Sequence, residues 1–460
     1  MGRKFFGFDF FSFRNLFASW HSVETMRLAW PLIVTQVGHI VTGMVDNVFL
    51  GRIGASELGA GILSNNVFVL VLIFGMGMSF GSTPLVAGAH EQNDATKKAS
   101  LFKGTLLINC SLALLFYLLL FNASDLLEYM RQPQKVTELA RPYFDVLLYS
   151  VLPLALFFTG KQFCEGLGNT RAALIISVSG NLLNILLNYL LIYGKLGFPE
   201  LGYMGAAWAS FWARLFMGLS FMALIFSFDL TKDVRRVFRA AALKFSEIKE
   251  LWKIGINSAF QLTFEVATFV VAGLMAGTFG EVQLDAHGIA LSIAGFTYMF
   301  ASGIGGAATI RTGAANARGN PREIRAASGA ALRLVLVVMF VFVLLLIAGR
   351  TVFPGVFTTN EAIIKLASQL LIIAALFQLF DGLQVTAIGI LRGLGDVRIS
   401  TLVTFTGYWL LALPLAWFLA YQLEWETIGI WVALLTALFF VASGLLLRLR
   451  YLLRTSATKS

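Results

Sequence analysis

The 460-residue chain contains little charge, little cysteine and little proline. Charged residues make up 13% of it, against roughly 25% in a typical soluble domain, and hydrophobic residues make up 58%. The two cysteines, Cys110 and Cys164, and the four histidines show no metal-ligand spacing, which argues against a disulfide framework or a metal centre. Nine prolines and no Pro/Gly/Ser-rich stretch leave no linker to a detachable soluble domain. Together these shortages favour an integral membrane protein.

Long apolar segments make up most of the chain. They are too long for the strands of a membrane barrel and do not alternate in polarity, so we expect helices. The predicted fold is all-α, with twelve transmembrane helices. Their predicted bounds are residues 27–50, 61–86, 103–124, 143–163, 172–194, 203–228, 254–279, 286–310, 331–353, 362–391, 400–421 and 427–447.

The net charge of +10 does not indicate a nucleic-acid partner. When the 35 Lys and Arg residues are sorted by alternate connections between the predicted helices, 26 fall on one side, including the seven from Lys232 to Lys253. Basic residues are concentrated in the cytoplasmic connections of membrane proteins. The distribution therefore predicts a multi-pass protein of the cytoplasmic (inner) membrane, with both termini in the cytoplasm.

The chain repeats itself once. Two sequence patterns recur in its second half, and their offsets are 227 and 226 residues. The first is Gly166-Leu167-Gly168-x-x-Arg171, which recurs as Gly393-Leu394-Gly395-x-x-Arg398, and the second is Gly51, Gly54, Leu58 and Ala60, which recur as Gly277, Gly280, Leu284 and Ala286. The duplicated unit is six helices long. Because six is even, both units insert with the same orientation, which predicts two lobes with parallel-repeat pseudo-two-fold symmetry.

The predicted organisation follows from this repeat. Residues 1–26, rich in Phe with three basic residues, form an interfacial segment rather than a cleaved signal. Residues 27–228 form an N-lobe and residues 254–447 form a C-lobe, each with six spans. Residues 229–253 form a cytoplasmic linker, and residues 448–460 form a cytoplasmic tail.

Four acidic residues fall inside predicted spans: Asp46, Glu265, Asp381 and, as a weaker candidate, Asp145. A carboxylate at membrane depth costs roughly 3 kcal/mol on insertion scales, so such residues are candidate ion or substrate sites. Helical rise places Glu265 and Asp381 at about the same level, near the middle of the membrane. We expect them to form a cation site, with Na⁺ as a possible ligand.

Amide side chains accompany the two deeper acids. Gln261 lies one turn before Glu265, and Gln378 and Gln384 each lie three residues from Asp381. These three glutamines, together with Gln36 on the first span, are candidate substrate-binding residues. Oxygen-rich surroundings suit Na⁺, a proton or a cationic substrate. The alternative is a structural hydrogen-bonded cluster that holds helices together.

Asp46 is predicted to lie at the level of Asn188, near the outer end of its span. Asn184 lies one turn from Asn188 on the same helical face. An acid that faces two amides could act as a protonation switch, because burial opposes ionisation of a carboxyl group. It could instead be a solvated interfacial residue. Among the basic residues inside spans, Lys161 is expected to extend to the inner membrane surface, and no role is assigned to Arg214.

The sequence resembles the multidrug and toxic compound extrusion (MATE) transporters, particularly the NorM-like branch. The resemblance runs from about residue 25 to 450. It is carried by Pro31, Asp46, Gly51-Arg52-Ile53-Gly54, Asn184-Ile185-Leu186-Leu187-Asn188-Tyr189 and the doubled Gly-Leu-Gly-x-x-Arg pattern.

This resemblance implies an antiporter that exports organic cations and amphipathic drugs in exchange for Na⁺ or H⁺. It implies that Asp46 belongs to an N-lobe proton or cation site, and that Glu265 and Asp381 belong to a C-lobe cation site. Asn188 stands where some relatives have Asp, which leaves Asp46 without a second carboxylate. We expect no cofactor beyond the coupling ion, small-molecule organic cations and membrane lipid as partners, and a monomer.

Three other functions fit the sequence less well. A flippase of the same superfamily, moving a lipid-linked oligosaccharide or a peptidoglycan precursor, should display several Arg or Lys at membrane depth. Only Arg214 is so placed. An intramembrane enzyme is not expected, because no Ser/His, Cys/His or metal-ligand pair stands at helical spacing. A channel fits a six-helix duplication less well than alternating access does.

Overall fold

The computed structural model describes residues 20–121, 133–227 and 231–455. Within these ranges every regular element is a helix. The long helices are α1 (Trp20–Ile53), α2 (Ala55–Glu91), α3 (Ala95–Phe121), α4 (Gln134–Tyr149 and Val151–Gly166), α5 (Thr170–Tyr193), α6 (Met204–Ser227), α7 (Phe245–Gly277), α8 (Glu281–Ala317), α9 (Pro321–Gly349), α10 (Glu361–Gly393), α11 (Val397–Gln422) and α12 (Glu426–Thr455). Short helices lie at Lys232–Val237 and Val352–Gly355.

Eleven of these helices are long and apolar enough to cross a membrane, and the bent pair that forms α4 brings the number in the described ranges to twelve. The predicted all-α fold with twelve spans is confirmed. Of the predicted interfacial segment 1–26, residues 20–26 begin α1 and residues 1–19 lie outside the described residues. Of the predicted tail 448–460, α12 includes the part up to Thr455, and residues 456–460 lie outside the described residues.

Three helices depart from regular α geometry. α2 consists of Ala55–Ser79 and Ser82–Glu91, and α4 bends by 43° between its two pieces. α11 contains two π-helical stretches, Thr406–Ala412 and Phe418–Gln422, on either side of the turn that holds Pro414. Proline lacks the backbone N–H that a helix interior needs, so neighbouring turns adjust around it.

Packing divides the chain into two units, described here separately. The N-unit is Val34–Ala259, and the C-unit is the described part of Met1–Ile33 together with that of Phe260–Ser460. The chain therefore passes between units inside α1 and inside α7, not between helices. The two crossing points, after Ile33 and after Ala259, are 226 residues apart, which is an offset of the sequence repeat. The predicted lobes, residues 27–228 and 254–447, are halves of the sequence repeat rather than packing units, and their limits stay a prediction.

Glycines bring backbones together in the N-unit. A Cβ on Gly77 would lie 2.5 Å from the Cα of Ala259, and one on Gly255 would lie 2.5 Å from the carbonyl oxygen of Met78. Both distances are well inside van der Waals contact, so only glycine fits where α2 and the first part of α7 cross. Buried aromatic side chains, including Phe68, Phe102 and Tyr143, pack with aliphatic ones in the core of this unit.

A close contact between glycines also joins α8 and α10 in the C-unit. A Cβ on Gly389 would lie 2.2 Å from the carbonyl oxygen of Gly305. Thr309 Oγ1 donates a hydrogen bond of 2.9 Å to the Gly389 carbonyl across the same contact. The buried core of this unit includes Trp431 and Tyr408. This close contact fixes α10, the helix that carries Asp381, against α8.

Candidate ion and substrate sites

Two buried acids form the centre of the candidate site in the C-unit. Glu265 on α7 is 6% exposed and Asp381 on α10 is 2% exposed. The two carboxyl groups are close enough to interact electrostatically. Neither forms an ion pair with a Lys or Arg of the described residues. Two neighbouring acids without a cationic partner are unstable as a pair of charges, so they favour a bound cation or a proton.

Hydrogen-bonding groups surround this acid pair. The Tyr408 hydroxyl interacts with Glu265, and it accepts a hydrogen bond of 2.8 Å from Gln384 Nε2. Gln261 Nε2 donates to Thr404 Oγ1 at 3.1 Å. Tyr408 lies in the first π-helical stretch of α11. The irregular turn of α11 thus carries a hydroxyl group beside the acid of α7.

Gln378 differs from the other two glutamines. Its side chain is fully buried, and neither its Oε1 nor its Nε2 has a hydrogen-bond partner among the described residues. An unpaired buried amide costs on the order of 1–3 kcal/mol. Gln378 lies one helical turn before Asp381 on α10. Its free amide oxygen and the two carboxylates are the oxygen ligands that hard cations prefer.

The structure brings the predicted N-lobe residues together as a chain of hydrogen bonds. Asn188 Nδ2 donates to Asp46 Oδ1 at 2.5 Å and also lies 3.2 Å from Asn184 Oδ1. Asn184 Nδ2 donates in turn to Ser210 Oγ at 3.4 Å. Asn188 is fully buried, and Asp46 is half-buried. The remaining candidate, Gln36, lies half-buried on α1 in this unit.

Arg214 on α6 is the residue that sequence reasoning left without a role. Its guanidinium group interacts electrostatically with Asp46, donates a hydrogen bond of 2.6 Å to Ser150 Oγ and lies 4.6 Å from the ring centroid of Phe68. The signal that could have found it is the charge itself, because a cation inside a span needs a partner. Asp46 is thus compensated by a cation of its own unit, unlike Glu265 and Asp381.

The structure corrects the expectation for Lys161. This side chain does not extend to the membrane surface, because the residue is only 8% exposed. Its Nζ lies 2.7 Å from Glu165 Oε1, one turn further along α4. The carboxylate one turn away gives the ammonium group a buried partner, so it has no need to reach water.

The described part of the chain contains no cluster of His, Cys and acidic side chains of the kind that binds transition metals. No group of three or more His, Cys, Asp or Glu side chains there is arranged to hold a metal ion. Any ion at Glu265 and Asp381 would therefore take its remaining ligands from amide, hydroxyl or backbone oxygens, or from water. This ligand type suits Na⁺ better than a transition metal.

Comparison with known proteins identifies the family. The MatE family model matches residues 31–190 and, a second time, residues 258–418. The chain belongs to the MatE family. The resemblance to MATE transporters, found in the sequence alone, is confirmed. The second MatE match begins 227 residues after the first, at 258 against 31, which agrees with the offset of the Gly-Leu-Gly-x-x-Arg repeat.

Relatives of this MatE protein are similar along more than nine-tenths of their length. The probable multidrug resistance protein NorM of Agrobacterium fabrum is 30% identical over 443 residues, which is 95% of each chain. The probable multidrug resistance protein NorM of Pseudomonas putida is 32% identical over 435 residues, covering 91% of this chain and 92% of the relative.

Solved structures share the fold. The eukaryotic MATE transporter AtDTX14 superimposes with a TM-score of 0.83 at 19% identity, over 95% of this chain and 98% of that one. A MOP superfamily transporter from Pyrococcus furiosus superimposes with a TM-score of 0.86 at 19% identity, over 96% and 98%. The chain is a multi-pass membrane protein with this transporter fold.

Proposed function

We propose that this MatE protein is a cation-coupled antiporter, using Na⁺ or H⁺, that exports organic cations and amphipathic drugs by alternating access. One observation carries the proposal: the Glu265 and Asp381 carboxyl groups are buried next to each other without an ion pair to any described residue. The free amide of Gln378 supports it. The proposed location is the cytoplasmic membrane, with both termini in the cytoplasm.

Coupling follows from competition for this negative charge. Burying an uncompensated carboxylate costs roughly several kcal/mol. A bound cation or proton that neutralises the acid pair therefore stabilises it. A coupling ion and a cationic drug that both do so displace each other, which gives an unfavourable coupling free energy between them. Exchange then results if the transporter changes conformation slowly when both are absent. Adaptable apolar contacts in a pocket would give broad drug specificity, with the acids selecting for positive charge.

The names of the relatives agree with drug export. Both the Agrobacterium fabrum and Pseudomonas putida proteins are called probable multidrug resistance proteins. The flippase alternative lacks support, because its phosphate-bearing substrate needs free cations at membrane depth. Arg214 is engaged by Ser150 and by Asp46.

Transport in proteoliposomes tests the proposal. Purified protein is reconstituted, and ethidium movement is followed while a Na⁺ gradient or a pH gradient is imposed, one at a time. At least one gradient should drive ethidium against its own gradient. The Asp381→Asn variant should remain folded in detergent and lose gradient-driven transport. Asp285→Asn, which changes an exposed acid at the start of α8, is the matched control and should transport like the wild type. Gradient-driven transport that is equal in all three proteins would refute the proposed role of Asp381.

A further inference from the structure

A polar cleft opens on the C-unit where α9 ends and α10 begins. It encloses about 950 Å³, including its open mouth, and extends from Arg350 and Thr351 along one side of α10 to Ile372. The proposed coupling residue on α10, Asp381, does not line it. The cleft is therefore distinct from the candidate ion site.

The charges in the cleft are not neutralised within the described part of the protein. Arg350 and Lys365 are both exposed, and neither makes an ion pair or a hydrogen bond with a described residue. Glu361, the first residue of α10, is the one acid that lines the cleft. Two cations and one acid leave the cleft with a net charge of +1 at neutral pH. An anion with a single negative charge would neutralise it.

The polarity of the cleft falls along α10. Lys365, Ser368 and Ile372 lie on one face of the helix at spacings of three and four residues. Charged groups come first, then the hydroxyl of Ser368 and the amide of Gln369, then the apolar side chain of Ile372. From Glu361 to Ile372 the helix rises roughly 17 Å. A phospholipid has the same order of parts: a charged headgroup, polar ester groups and an apolar chain.

Exposed apolar side chains flank the cleft. Ile347 near the end of α9 is 44% exposed, and Val352 and Val356 in the connection are 65% and 79% exposed. Leu376 continues the α10 side and is 48% exposed. Because α9 and α10 are membrane spans, Ile347 and Leu376 on them are expected to face lipid tails. The chain of a lipid whose headgroup lies in the cleft would contact this surface.

We propose that the cleft binds one anionic phospholipid of the phosphatidylglycerol class. The Arg350 guanidinium donates two parallel hydrogen bonds to the phosphodiester, which is the geometry that distinguishes Arg from Lys, and the Lys365 ammonium contacts the same group. Glu361 accepts hydrogen bonds from the glycerol hydroxyls of the headgroup. A phosphatidylcholine headgroup has no net charge and no donor for Glu361, so it fits less well.

Lipid binding to the full-length protein in detergent tests this proposal. Native mass spectrometry measures the affinity for phosphatidylglycerol, phosphatidylethanolamine and phosphatidylcholine of equal chain length, and a thermal-shift assay with inorganic phosphate tests for a free-anion site. Arg350→Gln/Lys365→Gln should weaken phosphatidylglycerol binding by at least about tenfold. Arg322→Gln/Arg398→Gln, which removes two other exposed cations of the same unit, should bind like the wild type. Arg350→Lys/Lys365→Arg keeps both charges but removes the guanidinium group from position 350, so it should recover only part of the affinity.

Three results would overturn the proposal. An equal loss of phosphatidylglycerol affinity in Arg350→Gln/Lys365→Gln and in Arg322→Gln/Arg398→Gln would mean that lipid binding depends only on the overall charge of the protein. Equal affinity for the three lipids would mean that the cleft does not select an anionic headgroup. Stabilisation by inorganic phosphate equal to that by phosphatidylglycerol would assign the cleft to a free anion. Unchanged melting temperatures of the variants without added lipid show that they are folded.

Discussion

Asn188 Nδ2 lies 2.5 Å from Asp46 Oδ1 and links α5 to the acid of α1. Asp46 therefore accepts a hydrogen bond from an amide and interacts with the Arg214 cation. The acid pair of the C-unit has no such cation among the described residues. The two units thus carry acids of different character, one compensated by its own protein and one available to an external cation.

Removing the Asn188 amide should weaken the N-unit site. A hydrogen bond to a charged group contributes about 1.5–3 kcal/mol, so Asn188→Ala should reduce ethidium transport by roughly tenfold or more if Asp46 takes part in it. The measurement is the initial rate in proteoliposomes. Asn47→Ala, which removes an exposed amide next to Asp46 in sequence, is the control. Equal rates for the two variants would show that the Asn188 contact has no part in transport.

Substitution of Gln378 tests whether the polar side chains around Glu265 and Asp381 have a functional or a structural role. If its free amide serves an ion or a water molecule, Gln378→Leu should lower ion-driven transport while the melting temperature stays equal or rises. A rise is expected because the variant removes an unpaired buried amide, worth on the order of 1–3 kcal/mol. Gln422→Leu, an exposed position at the end of α11, serves as the control. A higher melting temperature with full ion-driven transport would make the amide a structural feature only.

The contact of Gly389 with Gly305 should be sensitive to a single methyl group. A Cβ at Gly389 would lie 2.2 Å from the Gly305 carbonyl oxygen, so Gly389→Ala should destabilise the protein by about 1–3 kcal/mol. Gly288→Ala on α8 adds the same group where no atom lies within 4 Å, and it should not destabilise. Thermal unfolding in one detergent compares the two. Equal melting temperatures would show that α8 and α10 can separate at little cost.

Asp233 on the helix Lys232–Val237 lies outside the spans and accepts a hydrogen bond from Lys98 on α3, which is 4% exposed. Burial opposes ionisation of Asp233, but the hydrogen bonds from Lys98 and the backbone outweigh it, so its pKa is held below the ordinary 3.8. A carboxyl group whose pKa is lowered by folding stabilises the fold at pH values above its ordinary pKa. This stabilisation is lost as the pH falls through the lowered pKa of the folded protein.

Asp233→Asn should therefore reduce stability at neutral pH. The expected loss is only about 1 kcal/mol, because the Asp233 side chain is 45% exposed. The loss should shrink on acidification below pH 3.8, where the wild type loses the same interaction. Thermal unfolding from pH 7 downward measures it, with Asp285→Asn as control. A difference from wild type that does not change with pH would contradict the assigned ion pair.

Much of the fold was predictable because it depends on local patterns. The apolar segments indicate spans without knowledge of packing, since lipid exposure and burial both require apolar residues. Helical rise alone placed Glu265 and Asp381 at a common depth, whereas their nearness depends on how α7 and α10 pack within the C-unit. The duplicated Gly-Leu-Gly-x-x-Arg pattern revealed the six-helix repeat, and the doubled family match agrees with it.

Other features depend on partners that are distant in sequence. The bend of α4 occurs at Ser150, whose hydroxyl binds Arg214 of α6, and neither residue alone predicts the other. The buried state of Lys161 depends on a neighbouring carboxylate that takes the place of water. The chain passes from one packing unit to the other within α1 and again within α7, and no local sequence signal marks either position. The hydrophobic pattern of each helix continues through the unit boundary.

Equilibrium binding of ethidium in detergent tests the central claim most directly, namely that a coupling ion and a cationic drug compete for Glu265 and Asp381. The dissociation constant is measured over a Na⁺ series at fixed pH and over a pH series at fixed Na⁺. In the wild type and in Asp285→Asn, Na⁺ or acidification should weaken ethidium binding by about tenfold, a coupling typical of linked sites. In Glu265→Gln/Asp381→Asn this ion effect should disappear. An ion effect of the same size in the double variant, or none in the wild type, would contradict the account.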